Sequence, residues 1–151
     1  MENIAKQVAE GLNHLIIIAN DGKEGYAQAA EEVGDAMLMA VFSKYATERG
    51  EFAAELTALV AATGIVPESG GGPLGALHRV WVDIKTSFVA NDRESVLKEC
   101  IRGDQTAVSA YETVLKDNVL TSEQQNILQR QLTLTRDALF ILKQELEKIT
   151  K

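Results

Sequence analysis

The sequence has few of the residues that form disulfides, metal sites or β-sheets. Its 151 residues include one cysteine (Cys100), two histidines and two prolines, and aromatic residues make up only 5%. A single cysteine excludes an intramolecular disulfide, which fits a reducing compartment, so we expect a cytoplasmic protein. The apolar run at 15–19 is too short to span a bilayer, and the amphipathic N-terminus is unlike a secretion signal.

Negative charge also exceeds positive charge, and the net charge of the chain is -7. Binding to nucleic acid requires a basic surface that displaces counterions from phosphates, and anionic lipid likewise attracts basic segments. We therefore expect neither nucleic acid nor a membrane as a partner. The apolar content of 46% is sufficient for a hydrophobic core, and the length predicts one domain over 1–151.

Apolar residues recur at steps of three and four, which is the spacing of one face of a helix, and no strand pattern is present. Pro67 and the glycines at 70–72 indicate a long loop after the second helix. The pattern predicts helices at about 3–33, 36–63, 73–90 and 93–117, and a last helix after Thr121.

Local signals mark where the predicted helices turn. Gly34 suits the left-handed end of the first helix and Asp35 the cap of the second, while Thr121 and Gln124 form a capping-box pattern. Short turns make each helix pair antiparallel. The long crossover between the pairs predicts an all-α, ferritin-like four-helix bundle of two antiparallel hairpins, with a loop and a short fifth helix in the crossover.

The predicted inward face of the second helix includes a charged residue, Arg49. Asp21 and Arg49 lie about fourteen residues before and after the turn at Asp35, so antiparallel packing places them at the same level. We expect an Asp21–Arg49 ion pair at mid-bundle, in a buried polar cluster with Tyr26 and Tyr45 as hydrogen-bond donors. The alternative is that Asp21 faces solvent.

Several motifs occur in order along the chain: NDGKEGY at 20–26, Arg49 and Phe52, HRVW at 78–81, and Glu99-Cys100 with RGD at 102–104. Together they resemble an uncharacterised family of bacterial ferritin-like four-helix-bundle proteins that is distantly similar to rubrerythrins and bacterioferritins. The resemblance covers essentially the whole chain and implies a ferritin-like fold without a firm activity. Ile101 stands where such sequences often have an acidic residue, and 135–139 lacks their histidine.

A ferritin-type di-iron site takes a Glu from each of two helices and Glu-x-x-His from each of the other two. The residues three before His14 and His78 are Gly11 and Gly75, so the chain has no Glu-x-x-His. We therefore expect no catalytic residue, metal ligand or cofactor. An alternative is iron bound by carboxylates alone, from Glu24, Glu48, Glu51 and Glu55. What occupies the space between Asp21, Arg49, Asp104 and Thr135 decides between these possibilities.

Three functions stay open on these grounds. The first is a binding, stress-related or scaffolding bundle without an intact di-iron site. The second is a metal-dependent oxidase or peroxide-handling protein with an atypical carboxylate site, and the third is a partner-binding module that uses the Gly-rich loop and Trp81. The consecutive residues Ile16, Ile17 and Ile18 exceed one core stripe, so we expect them to expose apolar surface and form a homo-oligomer such as a dimer.

Overall fold

A computed structural model of the chain describes residues 2–67, 92–117 and 119–150, with side chains from Ile4 onward. These ranges contain no strand. The four long predicted helices are confirmed, whereas the crossover helix at 73–90, with His78 and Trp81, lies outside the described residues. The helices are α1 (Glu2–Glu32), α2 (Ala36–Ala62), α3 (Arg93–Leu115) and α4 (Ser122–Thr150).

The four helices pack as two antiparallel hairpins, α1 with α2 and α3 with α4. The hairpins meet where α1 packs against α3 and α2 against α4, so α1 and α4 are diagonal, as are α2 and α3. This is the predicted ferritin-like arrangement. Within the described ranges, no helix combines the length and apolar character needed to cross a bilayer. A single domain over 1–151 stays a prediction.

The predicted turn signals have the expected local geometry. Gly34 has a φ of 67°, a left-handed conformation that favours glycine, and the Asp35 side chain accepts a hydrogen bond from the backbone N–H of Leu38 at 2.9 Å. At the start of α4, the backbone N–H of Thr121 donates to Gln124 at 2.9 Å, and that of Gln124 donates to the Thr121 hydroxyl at 3.1 Å. Short-range hydrogen bonds therefore fix both helix starts.

Two apolar clusters fill the bundle, one at each end. One cluster includes Leu12, Leu15, Phe52, Leu56 and Tyr111, and the other includes Tyr26, Phe42, Leu97, Cys100 and Leu142. On each helix the members of the two clusters are separated by five or six residues, which is about one and a half turns. The gaps fall at 20–25 on α1, 46–51 on α2, 102–106 on α3 and 133–137 on α4.

The expectation that consecutive isoleucines on α1 expose apolar surface is wrong. Ile16, Ile17 and Ile18 are 0%, 6% and 4% exposed within a single chain. Because α1 packs against both α2 and α3, it buries a wider arc than one stripe. By contrast, Ile4 on α1 and Ile141 on α4 are 48% and 39% exposed, so they lie outside the core.

Candidate functional site

Between the two apolar clusters, each helix contributes one buried polar side chain at the same level of the bundle. These four residues form what we call the polar layer: Asp21 of α1, Arg49 of α2, Asp104 of α3 and Thr135 of α4. None of the four side chains is more than 7% exposed. Buried polar groups are rare unless they are bonded to one another, so the contacts within this layer determine what it can do.

Arg49 is the centre of the polar layer. Its Nη2 donates to Oδ2 of Asp104 at 2.9 Å, and its Nη1 donates to Oε1 of Glu48 at 2.5 Å. The same Oδ2 of Asp104 accepts from the hydroxyl of Tyr26 at 2.5 Å. Two carboxylates, those of Glu48 and Asp104, therefore balance the charge of the guanidinium. The buried Asp104 also accepts a hydrogen bond from Tyr26, and a stable buried ion pair requires such additional hydrogen bonds.

Three aromatic rings surround the guanidinium. Its Cζ lies 5.4 Å from the ring centre of Tyr26, 5.8 Å from that of Tyr45 and 5.3 Å from that of Phe52. These distances are within the range of cation–π attraction. Tyr26 and Tyr45 also contact each other edge to face, with ring centres 5.4 Å apart. The three rings and the two carboxylates together surround most of the Arg49 guanidinium.

The environment keeps Arg49 charged and Tyr26 protonated. Burial alone would lower the pKa of Arg49, but Asp104, Tyr26 and Glu48 raise it more, so the net change is upward. Burial raises the pKa of the Tyr26 phenol well above its usual value, and the charge of Asp104 adds to the effect. Burial also raises the pKa of the Asp104 carboxyl, although Arg49 and Tyr26 pull it down. Near neutral pH, Tyr26 is therefore a neutral donor to Asp104.

The structure brings together three of the four residues predicted for the cluster: Tyr26, Tyr45 and Arg49 are in mutual contact. Asp21 is buried in the same layer, near Arg102, whose pKa is raised first by its hydrogen bonds to Glu99 and also by the charge of Asp21. The packing of Gly22 against Arg49 agrees with the predicted register of α1 and α2. The Asp21–Arg49 ion pair itself stays a prediction.

A second hydrogen-bonded chain links α3, α4 and α2 just beyond the layer. The Tyr111 hydroxyl donates to Oε1 of Gln131 at 2.6 Å, and Nε2 of Gln131 donates to Oε1 of Glu55 at 2.9 Å. Glu55 also pairs with Arg130 at the surface. Gln131 is fully buried, so both ends of its amide are used to hold α4 in place.

Asp104 is the main residue missing from the predicted cluster. The signal that could have found it is its position one turn after Cys100, on the face of α3 that carries the inward stripe. An acidic residue on a buried stripe opposite a predicted buried arginine is a candidate partner by charge alone. The mid-bundle space was anticipated, but a choice between Asp21 and Asp104 needs the relative rotation of three helices.

Comparison with known proteins places this arrangement in a family. Residues 7–117 match a domain of unknown function, DUF2383. The chain belongs to the DUF2383 family. Its structure is similar to that of a Dps1 point mutant from Mycobacterium smegmatis, with a TM-score of 0.83 over 97% of this chain and 99% of that one, at 16% identity. No curated protein matches the chain. The ferritin-like fold is thereby confirmed, and the low identity carries the fold alone.

A ferritin-like fold implies a di-iron centre, so we asked whether the residues of this DUF2383 chain fit one. Across 4–67, 92–117 and 119–150, no group of three or more His, Cys, Asp or Glu side chains is arranged to hold a metal. His14 is exposed on α1. At the level between the clusters, the guanidinium of Arg49 engages the buried carboxylate of Asp104, and a fixed positive charge there repels a dication. These residues do not fit a di-iron centre.

The all-carboxylate alternative fits no better. Of the four glutamates considered for it, Glu48 bonds to Arg49 and Glu55 pairs with an arginine of α4. Glu24 and Glu51 are exposed on the outer faces of their helices. The four carboxylates therefore do not converge on the polar layer, where a hard cation would need several of them within bonding distance.

Proposed function

We propose that this DUF2383 protein is a metal-free ferritin-like bundle that acts as a binding or scaffolding component. The observation that carries the proposal is the Arg49–Asp104 ion pair, with Nη2 and Oδ2 2.9 Å apart at the level where the fold implies a metal centre. An arginine is always protonated and cannot leave the site as a bound ion can. The centre of the bundle is thus closed by its own side chains.

The chemistry of the layer also favours a structural role over an enzymatic one. Its carboxylate, Asp104, is buried and already accepts two hydrogen bonds, and its cation is a permanently charged guanidinium that cannot accept a proton. A general acid or base needs a pKa near the working pH and reach to a substrate. Buried charged groups of this kind specify which helices meet and in which register. We therefore assign the layer to fold specification.

Metal analysis tests this proposal against the alternative of a metal-dependent oxidase or peroxide-handling protein. Protein purified from iron-supplemented cells should contain far less than one iron per chain and should not accelerate Fe(II) oxidation. A content of roughly two irons per chain, as expected for a two-metal site, that falls in Glu24→Gln or Glu51→Gln would overturn the proposal. Glu94→Gln, at an exposed glutamate on α3, is the matched control.

We also propose that the protein self-associates through exposed apolar surface. Met37, Met39 and Phe140 are 61%, 46% and 63% exposed, and a contact with a second copy would remove this apolar surface from water. Beside Met39, a groove of about 390 Å³ runs between α1 and α2, with Ala30 and Ala46 in its walls. Small wall residues allow close approach of another helix. The partner proposed for this groove is a second copy of the chain.

Light scattering coupled to size-exclusion chromatography distinguishes two possible interfaces, the groove beside Met39 and the exposed surface around Phe140. Wild-type protein should be larger than a monomer at micromolar concentration, and Met39→Glu should reduce its mass if the groove is the interface. Phe140→Glu tests the face on α4, and Val66→Glu, at a residue that is 83% exposed, controls for the added charge. A monomeric wild type would contradict self-association.

The cysteine content supports a cytoplasmic location for the protein. Its single cysteine, Cys100, is a buried free thiol, which fits a reducing compartment.

A further inference from the structure

One nitrogen of the ion pair lacks a partner among the residues that the structure describes. Nε of Arg49 is fully enclosed and meets no hydrogen-bond acceptor there. The other two nitrogens of the guanidinium donate to Glu48 and Asp104. A buried N–H without an acceptor is rare in native proteins and costly, and the cost is larger for a charged group. This atom therefore points to a further binding partner.

A small cavity lies beside the Arg49 side chain. Its volume is about 10 Å³, which is room for a single water molecule, and its walls include Gly22, Arg49, Asp104, Tyr111 and Thr135. A Cβ on Gly22 would lie 3.7 Å from Cδ of Arg49, and Nη2 of Arg49 is bonded to Asp104. Nε lies between Cδ and the Nη atoms along the side chain. Since Gly22 and Asp104, which contact Arg49 on either side of Nε, both line the cavity, we infer that Nε borders it.

The cavity walls also provide acceptors for a bound water. The hydroxyl of Thr135 donates to the carbonyl of Gln131 at 2.8 Å, and its oxygen still has lone pairs that accept. A carboxylate has about four acceptor positions, and the bonds that Asp104 accepts from Arg49 and Tyr26 both end on Oδ2. A buried water needs two to four polar partners. One donor and two acceptors meet that requirement.

We propose that this cavity is a binding site for one water molecule, which accepts from Nε–H of Arg49 and donates to Asp104 and Thr135. The ligand is neutral and has one heavy atom, because the cavity has no room for a larger solute and the Asp104 carboxylate repels an anion. The direct bonds of Arg49 and Asp104 join α1, α2 and α3. The water adds α4 through Thr135, so the polar layer closes across all four helices.

Two glycines provide a matched test. Gly22→Ala and Gly50→Ala each add one methyl group inside a helix, but only Gly22 lines the cavity, whereas Gly50 packs against Lys23. Neither added Cβ would lie closer than 3.4 Å to its neighbour, so both variants should fold. Oxygen-17 magnetic relaxation dispersion counts long-lived internal waters. We expect one fewer in Gly22→Ala than in wild type, and an unchanged number in Gly50→Ala.

A high-resolution crystal structure of the wild type supplies the second measurement. It should show a water within about 2.7–3.2 Å of Nε of Arg49, the usual N–H···O range. Thr135→Val keeps the shape of the side chain and removes one acceptor, so the water should exchange faster in that variant. A dry cavity, a protein acceptor on Nε, or equal water counts in the two alanine variants would overturn the proposal.

Discussion

Nη2 of Arg49 lies 2.9 Å from Oδ2 of Asp104, and the two side chains are only 4% and 2% exposed. Arg49 is on α2 and Asp104 on α3, which are diagonal in the bundle because each packs beside α1 and α4. The ion pair therefore joins two helices that lie diagonally across the bundle. An alternative rotation of either helix would bury an unpaired charge, which makes the pair a device for fixing the fold.

Removing one partner of this pair should strongly destabilise the protein. Asp104→Ala leaves the guanidinium buried and short of an acceptor, and we expect a loss of about 3–5 kcal/mol in the free energy of unfolding. Replacing Arg49 by Met, Asp104 by Leu and Tyr26 by Phe together should restore most of that loss. Urea denaturation of the three proteins (wild type, Asp104→Ala and the triple variant) measures both effects.

An exposed pair on α3 is the control for this comparison. Lys98 and Glu94 are 60% and 43% exposed and lie 3.2 Å apart, one turn from each other. Glu94→Ala should change the free energy of unfolding by less than about 0.5 kcal/mol. If Asp104→Ala were as mild as Glu94→Ala, the buried pair would not have the role given to it here.

Alkaline pH should destabilise the fold through its tyrosines. Burial is the largest effect that raises the pKa of Tyr26, and the charge of Asp104 raises it further. Burial also raises the pKa of Tyr111. Because the folded state keeps protons that the unfolded state loses near pH 10, the stabilisation is complete below about pH 10 and declines above it. Phenolate absorbance and urea midpoints should both show this. Full titration of folded protein near pH 10 would contradict it.

The single thiol should be inert in the folded protein. Cys100 is fully buried, and burial, followed by the charges of Asp104 and Glu99, raises its pKa well above the usual value. Since the thiolate is the reactive form, a disulfide reagent should modify one thiol per chain only after unfolding. Ser43→Cys in a Cys100→Ala background places a thiol on an exposed face and should react at once. Equal rates for the two would show that α3 opens readily.

The capping box at the start of α4 should make a measurable contribution of its own. Thr121 and Gln124 exchange two hydrogen bonds, and Thr121→Ala removes one of them, at an expected cost of about 0.5–2 kcal/mol. Thr133→Ala, on the exposed face of the same helix, is the matched control and should be neutral or slightly stabilising. Indistinguishable denaturation curves for the two variants would mean that the cap contributes little.

The helix starts and the inward stripes follow from the sequence because they depend on local chemistry. Gly34, Asp35 and Thr121 act on backbone groups within one turn, so their roles can be predicted without knowing the rest of the fold. The same holds for the burial of Arg49, which follows from the period of its neighbours on α2.

The choice of an ion-pair partner for Arg49 depends on tertiary packing. Asp21 and Asp104 are both acidic, both buried and both near the level of the arginine, so residue type and spacing do not choose between them. The burial of Ile17 also depends on how many helices surround α1. Such features depend on helix rotation and on the number of neighbours, which hydrophobic period alone does not encode.

We propose that the middle of this ferritin-like bundle is closed by a guanidinium–carboxylate pair instead of a metal. Crystals grown from protein incubated with excess Fe(II), and measured at the iron absorption edge, test it most directly. We predict no anomalous peak within bonding distance of Asp104, Glu99 or Glu48, and an intact Arg49–Asp104 hydrogen bond. An anomalous peak between these carboxylates, with the side chain of Arg49 displaced, would contradict the claim.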